Sequence, residues 1–116
     1  MRVIARLTLS TFVETLSGHK DKTSVKAALD AWYFEVESAL WRNSQDVKKA
    51  FANASILDSE RIVFNVKGNS YRLIVAIDYR RQIVFVKWLG SQREYDRIDA
   101  RTVQYGDQTH QKHKRS

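Results

Sequence analysis

The chain has 116 residues, 43% of them hydrophobic and 11% aromatic, which is the composition of one folded domain and excludes a disordered chain. It contains no cysteine, so disulfides, thiolate metal sites and a cysteine nucleophile are excluded. Residues 1–60 hold eight Lys/Arg against eight Asp/Glu, whereas residues 61–116 hold twelve against five, so the whole net charge of +7 belongs to the second half. A basic half joined to a neutral half points to a polyanion-binding surface. The apolar run after Met1 is too short for a signal peptide, and no stretch has the ~18 apolar residues of a membrane span. A soluble, cytoplasmic protein is expected.

Residues 2–6 read as a short strand. Thr8 or Ser10 is placed to cap a short helix with Leu9, Phe12, Val13 and Leu16 on one face and Gly18 at its end. Thr23 or Ser24 then caps a longer helix, where Val25, Ala28, Leu29, Trp32, Val36 and Leu40 recur at three and four, the stripe of a helix packed on a sheet. Ser44 starts a third helix over 45–51. In the second half the period changes to two, and residues 61–67, 71–78 and 83–89 read as antiparallel strands. Gly68 and Asn69 turn the first hairpin, and Arg80 and Arg81 the second. A short helix is expected from Arg93 towards Ala100. From Gly106 onward only polar and charged residues remain, so 1–105 is read as the domain and 106–116 as a flexible basic tail. The fold class is α+β, with N-terminal helices on one face of an antiparallel sheet and a short C-terminal helix.

The turns set the register. Val66 is expected opposite Tyr71, Asn65 opposite Arg72, Asp78 opposite Ile83 and Ile74 opposite Lys87. Strand alternation then puts Ile62, Phe64, Val66, Tyr71, Leu73, Val75, Val84, Val86 and Trp88 towards the helices. The open face receives Arg61, Val63, Asn65, Lys67, Arg72, Ile74, Phe85 and Lys87. On that face Lys67, Arg72 and Lys87 are expected side by side. Cations there can hold phosphates, Asn65 can hydrogen-bond, and Phe85 offers a stacking plane for an unpaired base. The competing reading is an ordinary solvated sheet face. Other constellations are poorer: His110 and His113 are helix-spaced in the tail but lack a partner ligand, Glu35 and Glu37 do not share a helix face, and there is no phosphate-loop motif or Ser–His–Asp set. No metal and no cofactor is suggested. Trp32, Trp41 and Trp88 read as core.

The run from Arg61 to Ile77, with Asn65, Gly68, Asn69 and Arg72 at their particular spacing, resembles the central hairpin of HigB-type toxins. The segment from Gly90 to Ala100 is similar to their Glu-Tyr-Asp motif, carried here by Glu94, Tyr95 and Asp96. The segments around Trp32 and around Asn53 to Leu57 add to the likeness, which covers about residues 1–105. The resemblance implies a RelE-like fold and a type II toxin that cuts mRNA on the ribosome as a metal-independent endoribonuclease. It also implies neutralisation by a HigA-type helix-turn-helix antitoxin, the pair binding its own operator DNA. In that reading Lys67, Arg72, Lys87 and Tyr95 are the catalytic candidates, and Arg61, Asn65, Asn69, Phe85 and Arg93 the RNA-binding ones. Where such toxins commonly have Thr-His before the Glu-Tyr-Asp segment, this chain has Ser91 and Gln92, and Gln92 can be neither base nor cation. Two rivals differ in class: a ParE-like gyrase poison on the same scaffold, and a plain nucleic-acid-binding regulator.

Overall fold

A computed structural model describes residues 1–4 and 6–104 of the chain. The tail from 106, including His110 and His113, lies outside the described residues. The elements run β1 (Arg2–Ile4), α1 (Arg6–Thr15), α2 (Lys22–Ser38), α3 (Ser44–Ala50), β2 (Ser55–Ile56), β3 (Arg61–Val66), β4 (Tyr71–Asp78), β5 (Ile83–Ser91) and α4 (Gln92–Tyr95). The sheet order is β1-β5-β4-β3-β2. Among the described strands, only β1 runs parallel to its neighbour, pairing Arg2 with Ile83 and Ile4 with Phe85. The expected α+β class holds, with α1, α2 and α3 on one face of the sheet. The short β2, paired through Ser55 with Val63, was not expected from the sequence.

The stripe on α2 buries Val25, Leu29, Trp32 and Val36 against the sheet, where Trp32 meets Phe64 edge-on at 5.5 Å. Each fully buried side chain of this size contributes roughly 1.5–3 kcal/mol. Leu40, expected to extend the stripe, lies beyond the helix and is 82% exposed. The chain turns extended at Ala39, and Trp41 is buried in its place, edge-on to Phe51. The Met1 amino group closes the end of α2 by donating to the carbonyls of Val36, Glu37 and Ala39 at 3.1, 2.9 and 2.7 Å. The Val36 carbonyl also accepts from the Ala39 N–H at 3.0 Å, and a positive group suits the carbonyl pole of a helix. The N-cap of α2 is Asp21, not Thr23 or Ser24, and its side chain makes no cap hydrogen bond. α3 is capped by the Asn43 side chain, which accepts from the Asp46 N–H at 3.1 Å.

The β3–β4 hairpin has the expected register, with Asn65 opposite Arg72 and Val66 opposite Tyr71. The β4–β5 pair begins as expected, Asp78 opposite Ile83, but slips between Ile74 and Val75. Val75 faces Val86 while Ile74 faces Trp88, so Lys87 is the extra residue of a β-bulge. The bulge reverses the alternation downstream. Leu89 joins the main core beneath the helices, and Trp88 goes to the opposite face, contrary to expectation.

That opposite face is not open along its whole length. Val63, Ile74 and Trp88 form a second buried cluster with Val103, against which Leu57, Tyr95, Ile98 and Ala100 pack. The helix expected over 93–100 is a single turn, Gln92–Tyr95, after which the chain crosses the sheet as a strap of turns. Ser91 and Glu94 form a capping box that starts it, with Ser91 Oγ accepting from the Glu94 N–H at 3.1 Å and Glu94 accepting from the Ser91 N–H at 2.9 Å. Burying Ile98 and Val103 over the Trp88 indole outweighs a few further helical hydrogen bonds.

Candidate nucleic-acid interface

Two rows of side chains frame the face opposite the helices. In one row Arg61 and Phe85 flank Ala76; in the other Asn65 and Gly90 flank Arg72. The rows are four residues apart on β4, roughly 13 Å at ~3.3 Å per residue. The strap over Val63, Ile74 and Trp88 lies between them.

At the Arg72 end, Arg72 Nη1 donates to the carbonyls of Asn69 and Tyr71 at 3.1 and 3.2 Å, and Asn65 Nδ2 donates to Asn69 Oδ1 at 3.2 Å. Asn69 thus orients both Asn65 and Arg72. α4 begins beside them, since the Gln92 N–H donates to the Ser70 carbonyl at 3.0 Å. Arg93 is exposed on that turn, while Tyr95 is half-buried with its ring 6.3 Å from that of Trp88. Gln92 Nε2 donates to Asp96 at 2.7 Å, and its buried Oε1 has no partner among the described residues.

At the other end a groove of about 580 Å³ is lined by Arg61, Ala76, Asp78, Arg80, Phe85 and Lys87, among others. The Lys87 ammonium stands 5.6 Å from the Phe85 ring centroid. Arg61 spends one nitrogen on the strap, donating Nη1 to the carbonyls of Ala100 and Val103 at 2.9 and 2.7 Å. Arg80, read from the sequence only as a turn residue, is an exposed cation of this groove. Its one sequence signal was its place in a basic pair at a hairpin turn.

Lys67 is not on this face. Its backbone is left-handed, with φ of 53°, so strand alternation stops at Val66. Its side chain swings to the helix layer, where Nζ lies 3.4 Å from Asp21 Oδ1. Tyr71 Oη donates to the other oxygen of Asp21 at 3.1 Å. Burial works to raise the Asp21 carboxyl. The hydrogen bonds from Tyr71 and Lys67 and the Lys67 charge outweigh it and hold the group below its ordinary range. Burial, and then the bond to Asp21, push the Tyr71 phenol up. The three cations expected side by side are therefore separated: Lys67 on the helix side, Arg72 in one row, and Lys87 in the bulge beside the other.

This arrangement, three helices on one face of an antiparallel sheet and a cation-lined opposite face, defines a RelE-like α+β protein. A family model described as HigB toxin, the RelE-like toxic component of a toxin–antitoxin system, matches residues 25–98. The chain belongs to this family. It is thus the toxin of such a pair, and an antitoxin is its partner. A comparison with curated proteins finds no match. Among the described residues, no helix is long and apolar enough to cross a membrane.

Proposed function

We propose that this toxin is a metal-independent endoribonuclease that cuts mRNA on the ribosome in the cytoplasm. A HigA-type helix-turn-helix antitoxin neutralises it, and the two together bind their operator DNA. One observation carries the reading: Arg72 and Lys87, on the face away from the helices, and Arg93, exposed on α4, have no carboxylate partner among the described residues, whereas Lys67 on the helix side has one. Cations held without counter-charges suit a polyphosphate ligand.

RNA brings its own nucleophile. The 2′-oxygen attacks the neighbouring phosphorus and loses its proton to a base, the bond from phosphorus to the 5′-oxygen breaks, and that oxygen takes up a proton. The products are a cyclic phosphate and a free 5′-hydroxyl. The protein has to stabilise the extra negative charge on phosphorus and move protons. Arg72, oriented by the Asn69 carbonyl, supplies the charge at the scissile phosphate, and Lys87, set off by the bulge near the other row, holds the strand further along. Tyr95, whose hydroxyl has no partner among the described residues, is the proton carrier at the edge of the strap. Lys67, engaged with Asp21, positions the hairpin instead. Asn65, Asn69 and Arg93 hold the RNA beside Arg72.

Expression of the toxin alone should stop growth and shorten the half-life of translated mRNAs more than that of untranslated ones. Arg72→Ala should cost ~10²-fold or more in cleavage, and Lys87→Ala should weaken RNA binding, each with the melting temperature retained. Equal cleavage of naked and translated RNA removes the ribosome from the account. Arrested supercoiling with intact mRNA places the protein with gyrase poisons.

A further inference from the structure

The groove around Phe85 lies apart from the Arg72 row, and the bond-breaking step draws on none of its lining residues. We propose that it is a subsite for one unpaired nucleotide of the RNA, a few positions along the strand from the scissile phosphate, with its base on Phe85 and its phosphate between Lys87 and Arg80. The proposal rests on the reading of the protein as an RNA-cutting toxin and adds where the substrate is gripped beyond the cut.

Three features support it. The Phe85 side chain sits beside Ala76, the smallest side chain of its row, which leaves room over the ring. The ring is half-exposed, and the Lys87 ammonium stands over it at 5.6 Å. A cation–π contact at an open site is weak, so an incoming base can replace it while the ammonium moves to the adjoining phosphate. The charges are also arranged for this. Asp78, the acid nearest the β4–β5 turn, is engaged by Arg81, accepting from its backbone N–H at 3.0 Å and standing 3.8 Å from its Nε. Arg80 and Lys87 have no carboxylate partner among the described residues. Glu60 also lines the groove, next to Arg61.

The distance fits a single strand. The row of Phe85 is roughly 13 Å from the row of Arg72, a span that extended RNA crosses in a few nucleotides. The strap between them carries the half-buried Tyr95 and the exposed side chains of Asp96, Arg97, Asp99 and Arg101. A duplex cannot use the groove, because a paired base has no face free for Phe85.

The test uses the intact toxin with single-stranded RNA oligonucleotides. One set is cleavable when bound to programmed ribosomes, where KM and turnover are read; the other carries a 2′-deoxy sugar at the cut and so binds the free toxin without reacting. Phe85→Leu should raise KM and the Kd for the uncleavable strand by about tenfold, the loss of one stacked base, while turnover at saturation stays within about twofold. Phe85→Trp should restore both KM and Kd. Arg80→Ala should weaken binding and flatten its salt dependence. Oligonucleotides shortened until they no longer reach from Arg72 to Phe85 should bind Phe85→Leu and the parent protein alike. Unchanged KM and Kd in Phe85→Leu, or equal affinity for duplex and single strand, overturn the subsite even where cutting is confirmed. Phe85-dependent binding without any cutting keeps the subsite and overturns the nuclease reading.

Discussion

Asp21 Oδ1 lies 3.4 Å from Lys67 Nζ, joining the loop between α1 and α2 to the tip of the β3–β4 hairpin. Because the folded carboxyl is held below its ordinary range, it stabilises the protein above the unfolded pKa of about 3.9. That contribution is lost as pH falls through the lower folded value. The parent protein should therefore lose stability on acidification below about pH 4. Asp21→Asn should be less stable at neutral pH and show a shallower acid dependence, read by thermal melts from neutral to strongly acidic buffer. Identical slopes would show that the contact has no weight in solution.

The same contact bears on Lys67. Lys67→Met should keep most of the RNA cleavage while lowering stability modestly, by ~1 kcal/mol or less for a partly exposed pair. A loss of turnover of roughly a hundredfold, the size expected for a charge-stabilising group, with an unchanged melting temperature would return Lys67 to the chemistry.

Gly90 is required by the indole beside it. A Cβ there would stand 2.5 Å from Trp88 Cη2 and 2.9 Å from Glu94 Oε1. Gly90→Ala must displace a ring that is 1% exposed at the centre of the second cluster. Overpacking of this kind costs roughly 1–3 kcal/mol, measurable by urea denaturation. Since Gly90 faces Arg72 and starts the turn into α4, cleavage should fall along with stability. A variant as stable as the parent would mean that Trp88 can move freely.

Tyr95 packs its ring on Trp88, so its two functions can be separated. Tyr95→Phe keeps the packing and removes the hydroxyl; cleavage should drop while the melting temperature holds. Tyr95→Ala should lower both, because it also opens the strap. If Tyr95→Phe cuts as fast as the parent, the ring alone matters and proton transfer belongs elsewhere.

Gln92 opens the single turn of α4, beside Ser70 and close to the Arg72 row. Gln92→His introduces a group titrating near neutrality. Faster cleavage with a new pH dependence between about 6 and 7 would mark residue 92 as a catalytic position. An unchanged rate and profile would place it outside the chemistry.

The amphipathic periods, three-to-four on α2 and two on β3 and β4, follow from which side chains prefer water, and that is local information. The class of fold and the β3–β4 register were legible for this reason, because Gly68 at its φ of 61° sets the hairpin and every side chain behind it. The family likeness was legible too, since it lies in the order of the residues themselves. Three features were decided only in the folded molecule. The bulge at Lys87 cannot be seen in an alternating run of Val84, Val86 and Trp88. It arises because the large Trp88 indole is buried over Gly90 beneath the strap, and the strap exists only when 95–103 meets Val63 and Ile74. Lys67 departs from its strand because a left-handed backbone ends the alternation and Asp21, far back along the chain, receives its charge. The separation of one expected cluster into two cationic ends is the sum of these, since hydrophobic burial claimed the middle of the face and left the charges at its margins.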